Sequence, residues 1–101
     1  NIGKDPSKNG FNSDNLLSTI EPIAQYTHVR VDGLMTILPN IDDHYTIRHL
    51  YAKTRKLQQQ IQLKVFPTCH YLSMGMSNDY IDALQEGATH IRLGTALYGQ
   101  R

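Results

Sequence analysis

The stretch "NIDDHYTIRHLYAKTRKLQQQIQ", residues 40–62, constrains the fold more than any other part of the chain. Ile47, Leu50, Tyr51, Thr54, Leu57 and Ile61 recur there at helical spacing, behind Asp42 or Asp43, either of which can cap a helix. A helix with one apolar stripe must bury it against a second layer. Its other face carries Arg48, His49, Lys53, Arg55 and Lys56, which reads as a solvated face in preference to a basic patch for a phosphate-bearing partner.

The neighbouring segments supply that second layer. Upstream, "THVRVDGLMTIL" alternates around Val29 and Val31, breaks at Gly33 and ends in an apolar run before Pro39, the pattern of a buried strand. Before it, "FNSDNLLSTIEPIAQY" offers a helix capped by Ser13 or Asp14, with Leu16, Leu17, Ile20 and Ala24 on one face and a break or restart at Pro22. Downstream, "LKVF" reads as a short strand and "PTCHYLSMG" as a connection, although the apolar residues before Gly75 also resemble a strand end. Residues 77–86 read as a helix capped by Ser77, with Gly87 as its left-handed C-cap, and "THIRLGTALYG" as a last strand. Asn1-Ile2 looks like the tail of a strand whose beginning is missing, so the chain is expected to be a fragment.

Alternation of this kind implies parallel strands joined by helical crossovers, in an open doubly wound sheet or an eight-stranded barrel. A barrel needs about 250 residues, so 101 residues supply the material for its second half. The expected class is α/β, the C-terminal half of a (β/α)8 TIM-type barrel, with residues 1–101 as part of a single domain.

Charge narrows the partners. Ten Lys and Arg stand against nine Asp and Glu, a net +1, so no charge excess draws the chain to nucleic acid or an anionic membrane. No apolar run reaches the roughly 18 residues of a membrane span. Cys69 is the sole cysteine and leans towards a reducing, cytoplasmic setting.

"YLSMGMSNDY" and "RLGTALYG" together outline an anion site. Ser77 at a helix start would set a hydroxyl beside free backbone N–H groups, and the upstream Gly75 lets the backbone come close. Gly94-Thr95 adds a second set of N–H groups and another hydroxyl, and barrels frequently build phosphate sites from the loops after strands seven and eight. Each piece alone is a common cap or turn. Cys69-His70 has no further ligands at metal spacing, so no metal and no catalytic residue is assigned.

The same blocks, with "NIGKDPSKNGF", "GLMTILP" and the closing Arg101, resemble the C-terminal half of the pyridoxal phosphate homeostasis protein family, relatives of the alanine racemase N-terminal barrel. The resemblance covers nearly the whole chain and is most specific from Leu72 to Gly99. It implies pyridoxal 5′-phosphate bound at the C-terminal strand ends, with Ser77 on the phosphate, Gly94 and Thr95 completing the cup, and Ser73 as a second-rank contact. Arg92 matches the arginine that faces the pyridine nitrogen. A guanidinium can only donate and stays charged, so it disfavours a protonated ring.

Met74 and Met76 read as packing near the pocket wall, His90 as a structural histidine sharing a strand face with Arg92, and Tyr98 as packing. The family's Schiff-base lysine lies on the first barrel strand, and Lys4, Lys8, Lys53, Lys56 and Lys64 do not match its motif. By resemblance the parent protein holds or delivers the cofactor in vitamin B6 homeostasis without strong catalysis; the alternative is an alanine racemase-like enzyme acting on amino acids. A half barrel exposes sheet edges and an apolar face, so the missing half, or self-association, is the expected partner.

Overall fold

The computed structural model describes residues 1–94. After a turn-rich lead and a 3-10 turn, Ser13–Asn15, come helix α1 (Leu16–Ile20) and a second 3-10 turn, Glu21–Gln25. Strand β1 (Gly33–Met35), helix α2 (His44–Lys64), strand β2 (Tyr71–Ser73) and helix α3 (Tyr80–Gln85) follow. β1 and β2 run parallel, with Gly33 opposite Tyr71, Leu34 opposite Leu72 and Met35 opposite Ser73. His90 makes a further parallel bridge to Ser73, so residues 89–92 lie along the opposite edge of β2. The class is α/β with parallel strands, as the alternation implied.

α2 forms where its pattern put it. Asp43 is its N-cap, the carboxylate accepting from the Tyr45 amide at 3.1 Å and the Thr46 hydroxyl at 2.7 Å. The stripe of Ile47, Tyr51, Thr54 and Ile61 is buried, joined by Gln58, whose amide donates to the Cys69 carbonyl at 2.6 Å. One core cluster gathers Ile2, Leu38, Ile47, Tyr51, Leu72, Met74 and Ala83. A second joins Leu16 and Ile20 of α1 to Ile61, Phe66 and Cys69. The helices thus cover one face of the sheet, while Met35 and Tyr71 on the other face are 61% and 50% exposed.

Four sequence expectations need correction. "LKVF" is not a strand: Leu63 and Lys64 continue α2, and the Val65 and Phe66 amides both donate to the Ile61 carbonyl, closing the helix in a turn. The strand is β2, inside the segment read as a connection. The long strand over residues 27–38 shrinks to Gly33–Met35, and Val29 is exposed. Neither Ser13 nor Asp14 caps the first turn; Asn12 does, accepting from the Asp14 amide at 2.9 Å.

The fourth correction concerns Ser77. α3 starts at Tyr80 with Asp79 in the N-cap position, and the first helical bond runs from the Ala83 amide to the Asp79 carbonyl. Ser77 sits in the turn ahead of it. Two other expectations hold: Pro22 stands at the start of the turn that follows α1, and Gly87 closes α3 with φ +99°. Asn1-Ile2 is not in a strand, though Ile2 is buried. The last strand, expected over residues 89–99, makes only the bridge at His90 among the described residues, since the Arg92 amide bonds out of step to the Gly75 carbonyl and Gly94 is already helical; residues 95–99 lie outside the described residues. Among the described residues, no helix is long and apolar enough to cross a membrane, and no His, Cys, Asp and Glu group could hold a metal.

Candidate functional site

The C-terminal ends of β1, β2 and residues 89–92 meet at Gly75. The ladder between β2 and residues 89–92 begins regularly, with the His90 amide donating to the Leu72 carbonyl and the Met74 amide to the His90 carbonyl. A regular parallel ladder would next join the Arg92 amide to Met74. Instead it bonds to the Gly75 carbonyl at 3.0 Å, so the backbone steps by one residue. Gly75 takes φ +111° to do so, a conformation that glycine alone adopts readily. The step turns the chain away from the sheet and into the turn at residues 76–79.

That turn is held from inside. The Asp79 carboxylate accepts from the Met76 amide at 2.7 Å, and the Asp79 amide donates to the Met76 carbonyl at 3.1 Å. Across from it, Arg92 is fixed at both ends: its amide on Gly75, and its Nη2 on the Thr36 carbonyl at 3.2 Å, just past the end of β1. Its Nε is buried without a hydrogen-bond partner among the described residues.

Between the turn and Arg92 opens a cleft of about 430 Å³ lined by Met76, Ser77, Asn78, Arg92 and Gly94. Three residues singled out from the sequence, Ser77, Arg92 and Gly94, therefore come together. Ser73 does not line this cleft among the described residues; it is half-buried on β2, opposite Met35 and bridged to His90. Thr95 lies outside the described residues. Gly94 is exposed, with no heavy atom of the described residues within 4 Å of where a Cβ would stand. A ligand can approach its backbone directly.

The electrostatics separate into two zones. Facing the cleft are a hydroxyl, a side-chain amide and a guanidinium, a donor-rich set suited to an anion with several acceptor oxygens. None of the described lining residues is a histidine, lysine or carboxylate, so the wall can bind and orient but has no side chain that exchanges protons near neutral pH. Behind the wall are buried acids, Asp79 and Asp82, 8% and 7% exposed. Burial, then the neighbouring Asp79 carboxylate, push the Tyr51 hydroxyl well above its usual range. Asp82 bonds His44 Nδ1 at 2.7 Å and raises that histidine above its ordinary value. Asp79 and Tyr51 had no place in the sequence-based site. Tyr51 looked like one more residue of an apolar stripe, and Ser77-Asn78-Asp79 offers three capping side chains in a row.

The family model described as alanine racemase, N-terminal domain, matches residues 1–101. A pyridoxal phosphate homeostasis protein of Aquifex aeolicus is 38% identical over 101 residues, all of this chain and 44% of that protein. Its namesake in Vibrio cholerae is 35% identical over 101 residues, again all of this chain and 42% of that protein. Among solved structures, an unknown protein from Bifidobacterium adolescentis superposes with TM-score 0.87 at 30% identity, over 96% of this chain and 40% of that one. PipY of Synechococcus elongatus with PLP bound gives TM-score 0.82 at 34% identity, over 95% of this chain and 45% of that one. The chain spans under half the length of these curated relatives.

Proposed function

Because the chain belongs to the alanine racemase N-terminal domain family, we propose that it is the C-terminal half of a (β/α)8 barrel that binds pyridoxal 5′-phosphate. The whole protein would hold or deliver this cofactor in vitamin B6 homeostasis, in the cytoplasm. The observation that carries the reading is the meeting of Ser77, Arg92 and Gly94 on one donor-rich cleft at the C-terminal strand ends. Related proteins carry the homeostasis name, and PipY has been solved with PLP bound.

The residues present fit such a ligand. A cleft of about 430 Å³ lies within the usual range for small-molecule sites, about 300–1,000 Å³. The Ser77 hydroxyl and the backbone around Gly94 and Thr95 would take the phosphate oxygens. Ser73, on β2, would contribute only from farther along the strand. The orphaned Arg92 Nε is a buried donor in want of an acceptor, and a ring nitrogen with a free lone pair supplies one. When bound, the cofactor supplies an aldehyde that condenses with amines and a ring that withdraws electrons. Arg92, able only to donate, keeps that ring unprotonated and so a weak electron sink, which suits storage and transfer better than demanding catalysis. The aldehyde's lysine belongs to the other half of the barrel. That half, or a second copy, would cover Met35 and Tyr71 on the exposed sheet face.

Pyridoxal phosphate titration of the complete barrel, followed by absorbance, tests this. Ser77→Ala and Arg92→Gln are expected to weaken binding roughly tenfold each, the scale of one charge-assisted hydrogen bond. The isolated chain should give no stable Schiff-base band. Wild-type affinity in both variants, or such a band on the isolated chain, would overturn the reading.

A further inference from the structure

At the C-terminal end of β1 a second cleft opens, of about 270 Å³, which the proposed cofactor role leaves unused. Lys8, Asn9 and Gly10 of the lead line it together with Met35, Thr36 and Ile37. In a (β/α)8 barrel this end of the strands is the mouth where sites gather.

The lead is braced to present Lys8. The Asn1 side-chain amide donates to the Asp5 carbonyl at 2.9 Å, and its oxygen accepts from the Asp5 amide at 3.0 Å. The Asp5 carboxylate in turn accepts from the Ser7 amide at 2.9 Å and the Ser7 hydroxyl at 2.8 Å, while the Lys8 amide donates to the Asp5 carbonyl at 3.1 Å. Lys8 Nζ stands 3.9 Å from that carboxylate, too far for a hydrogen bond. Its charge is steadied there and its N–H groups remain available.

Thr36, 5% exposed, has both backbone groups committed: the amide donates to the Ser73 carbonyl at 3.0 Å, and the carbonyl accepts from Arg92 Nη2 at 3.2 Å. Its hydroxyl is buried with no hydrogen-bond partner among the described residues, an unfavourable state that an acceptor relieves. Among the described residues no carboxylate lines the cleft. An ammonium, a side-chain amide and an orphaned hydroxyl beside two apolar side chains suit a ligand with acceptor oxygens and a short carbon body. One ammonium, already shared with Asp5, balances a single negative charge. That favours a carboxylate over a phosphate ester, which carries about −1.5 to −2 near neutral pH.

We propose that this cleft is a binding site for a small carboxylate, its oxygens taken by Lys8 Nζ, the Asn9 amide and the Thr36 hydroxyl, and its carbon body set against Met35 and Ile37. Arg92 lines the first cleft and holds the Thr36 carbonyl, so the two clefts adjoin. An amino acid held by its carboxylate would stand beside the cleft read as the cofactor's. The site itself does not depend on that reading.

The test is titration of the complete barrel, free of pyridoxal phosphate, with propionate, followed by amide chemical shifts in NMR spectra. The amides of Asn9, Gly10 and Thr36 should shift together and saturate with a Kd on the order of 1–10 mM. Lys8→Met, which keeps the stem and removes the charge, should raise that Kd roughly tenfold. Thr36→Val, which removes the hydroxyl, should raise it roughly three- to tenfold and leave the ligand-free melting temperature level or higher. Thr36→Ser, which keeps the hydroxyl, should bind within about twofold of wild type. If Thr36→Val does not fold, Lys8→Met and Thr36→Ser decide. No saturable shift at Asn9, Gly10 and Thr36, a shift confined to Ser77, Asn78 and Gly94, or an unchanged Kd in either Lys8→Met or Thr36→Val overturns the proposal. Inorganic phosphate binding at the same amides as tightly as propionate also overturns it, since the site would then be an unselective anion site. Failure of the barrel to bind pyridoxal phosphate counts against the functional reading alone and leaves each of these outcomes as decisive as before.

Discussion

Replacing Gly75 with alanine strains the corner more than any change to the cleft wall. At φ +111°, a side chain occupies sparsely populated backbone space, at about 1–3 kcal/mol. The added methyl would also stand 2.8 Å from the Ala83 Cβ, 3.1 Å from the Ile91 Cγ2 and 3.2 Å from the Tyr80 Cα. Two of those atoms belong to α3 and cannot swing aside, and overpacking of this sort costs about 1–3 kcal/mol. The sum is about 2–6 kcal/mol, a large share of the 5–15 kcal/mol, in order of magnitude, that holds a typical domain together. Urea unfolding of the complete protein measures it as a shift in midpoint at constant slope. Gly94→Ala is the control: with no described heavy atom near its Cβ position, it should move stability by about 0.5 kcal/mol or less. Combining Gly75→Ala with Ala83→Gly separates the two contributions, since the second change relieves the closest contact and leaves the backbone strain. A coupling of about 0.5–3 kcal/mol is expected for such a contacting pair. If Gly75→Ala alone costs under about 1 kcal/mol, the account of the corner is wrong.

Two further outcomes follow from the helices. Asp43→Ala removes the cap of α2 and its bonds to Tyr45 and Thr46, and should cost about 1 kcal/mol by denaturant unfolding, with Asp43→Asn recovering most of it. His44 is raised above the ordinary 6.5, first by its hydrogen bond to Asp82 and then by that carboxylate's charge. A histidine raised in the folded state contributes stability that is complete below the unfolded value and is lost as pH rises through the folded one. Wild type should therefore lose its advantage over Asp82→Asn as pH climbs above about 6.5, and an NMR titration of His44 should show the raised midpoint fall back in the variant. An equal midpoint in both would refute the pairing.

How far the sequence disclosed all this differs from element to element, for physical reasons. α2 was legible because a cap, a long apolar stripe and a charged opposite face agree over many residues. β2 was not: of Tyr71, Leu72 and Ser73 only Leu72 is buried, since one face of the sheet is uncovered, while "LKVF" carries the apolar look of a strand because Phe66 tucks into the core where α2 ends. The cleft was legible in Ser77, Arg92 and Gly94 through family motifs. Its support was not, because Asp79 and Tyr51 meet only after α2 packs on α3, a contact that no local pattern encodes. Ser77 was read as the cap for the same reason: the one-residue step at Gly75 delays the helix, and nothing in "GMSND" announces the delay.

That step also makes the corner sensitive to counting. The Arg92 amide rests on Gly75 and not on Met74, so a residue added between His90 and Arg92 would turn the guanidinium to the opposite face of the sheet, as any one-residue slip of a strand does, and one dropped between Met74 and Ser77 would remove the step and shift the turn that carries Ser77. Substitutions on the outer surface of the turn leave that register alone. Lengths should therefore drift in the lead at residues 4–12 and in the run at residues 26–32 long before they change at residues 74–77 or 90–94. Anyone grafting this corner onto another barrel should transplant its residue spacing before its side chains.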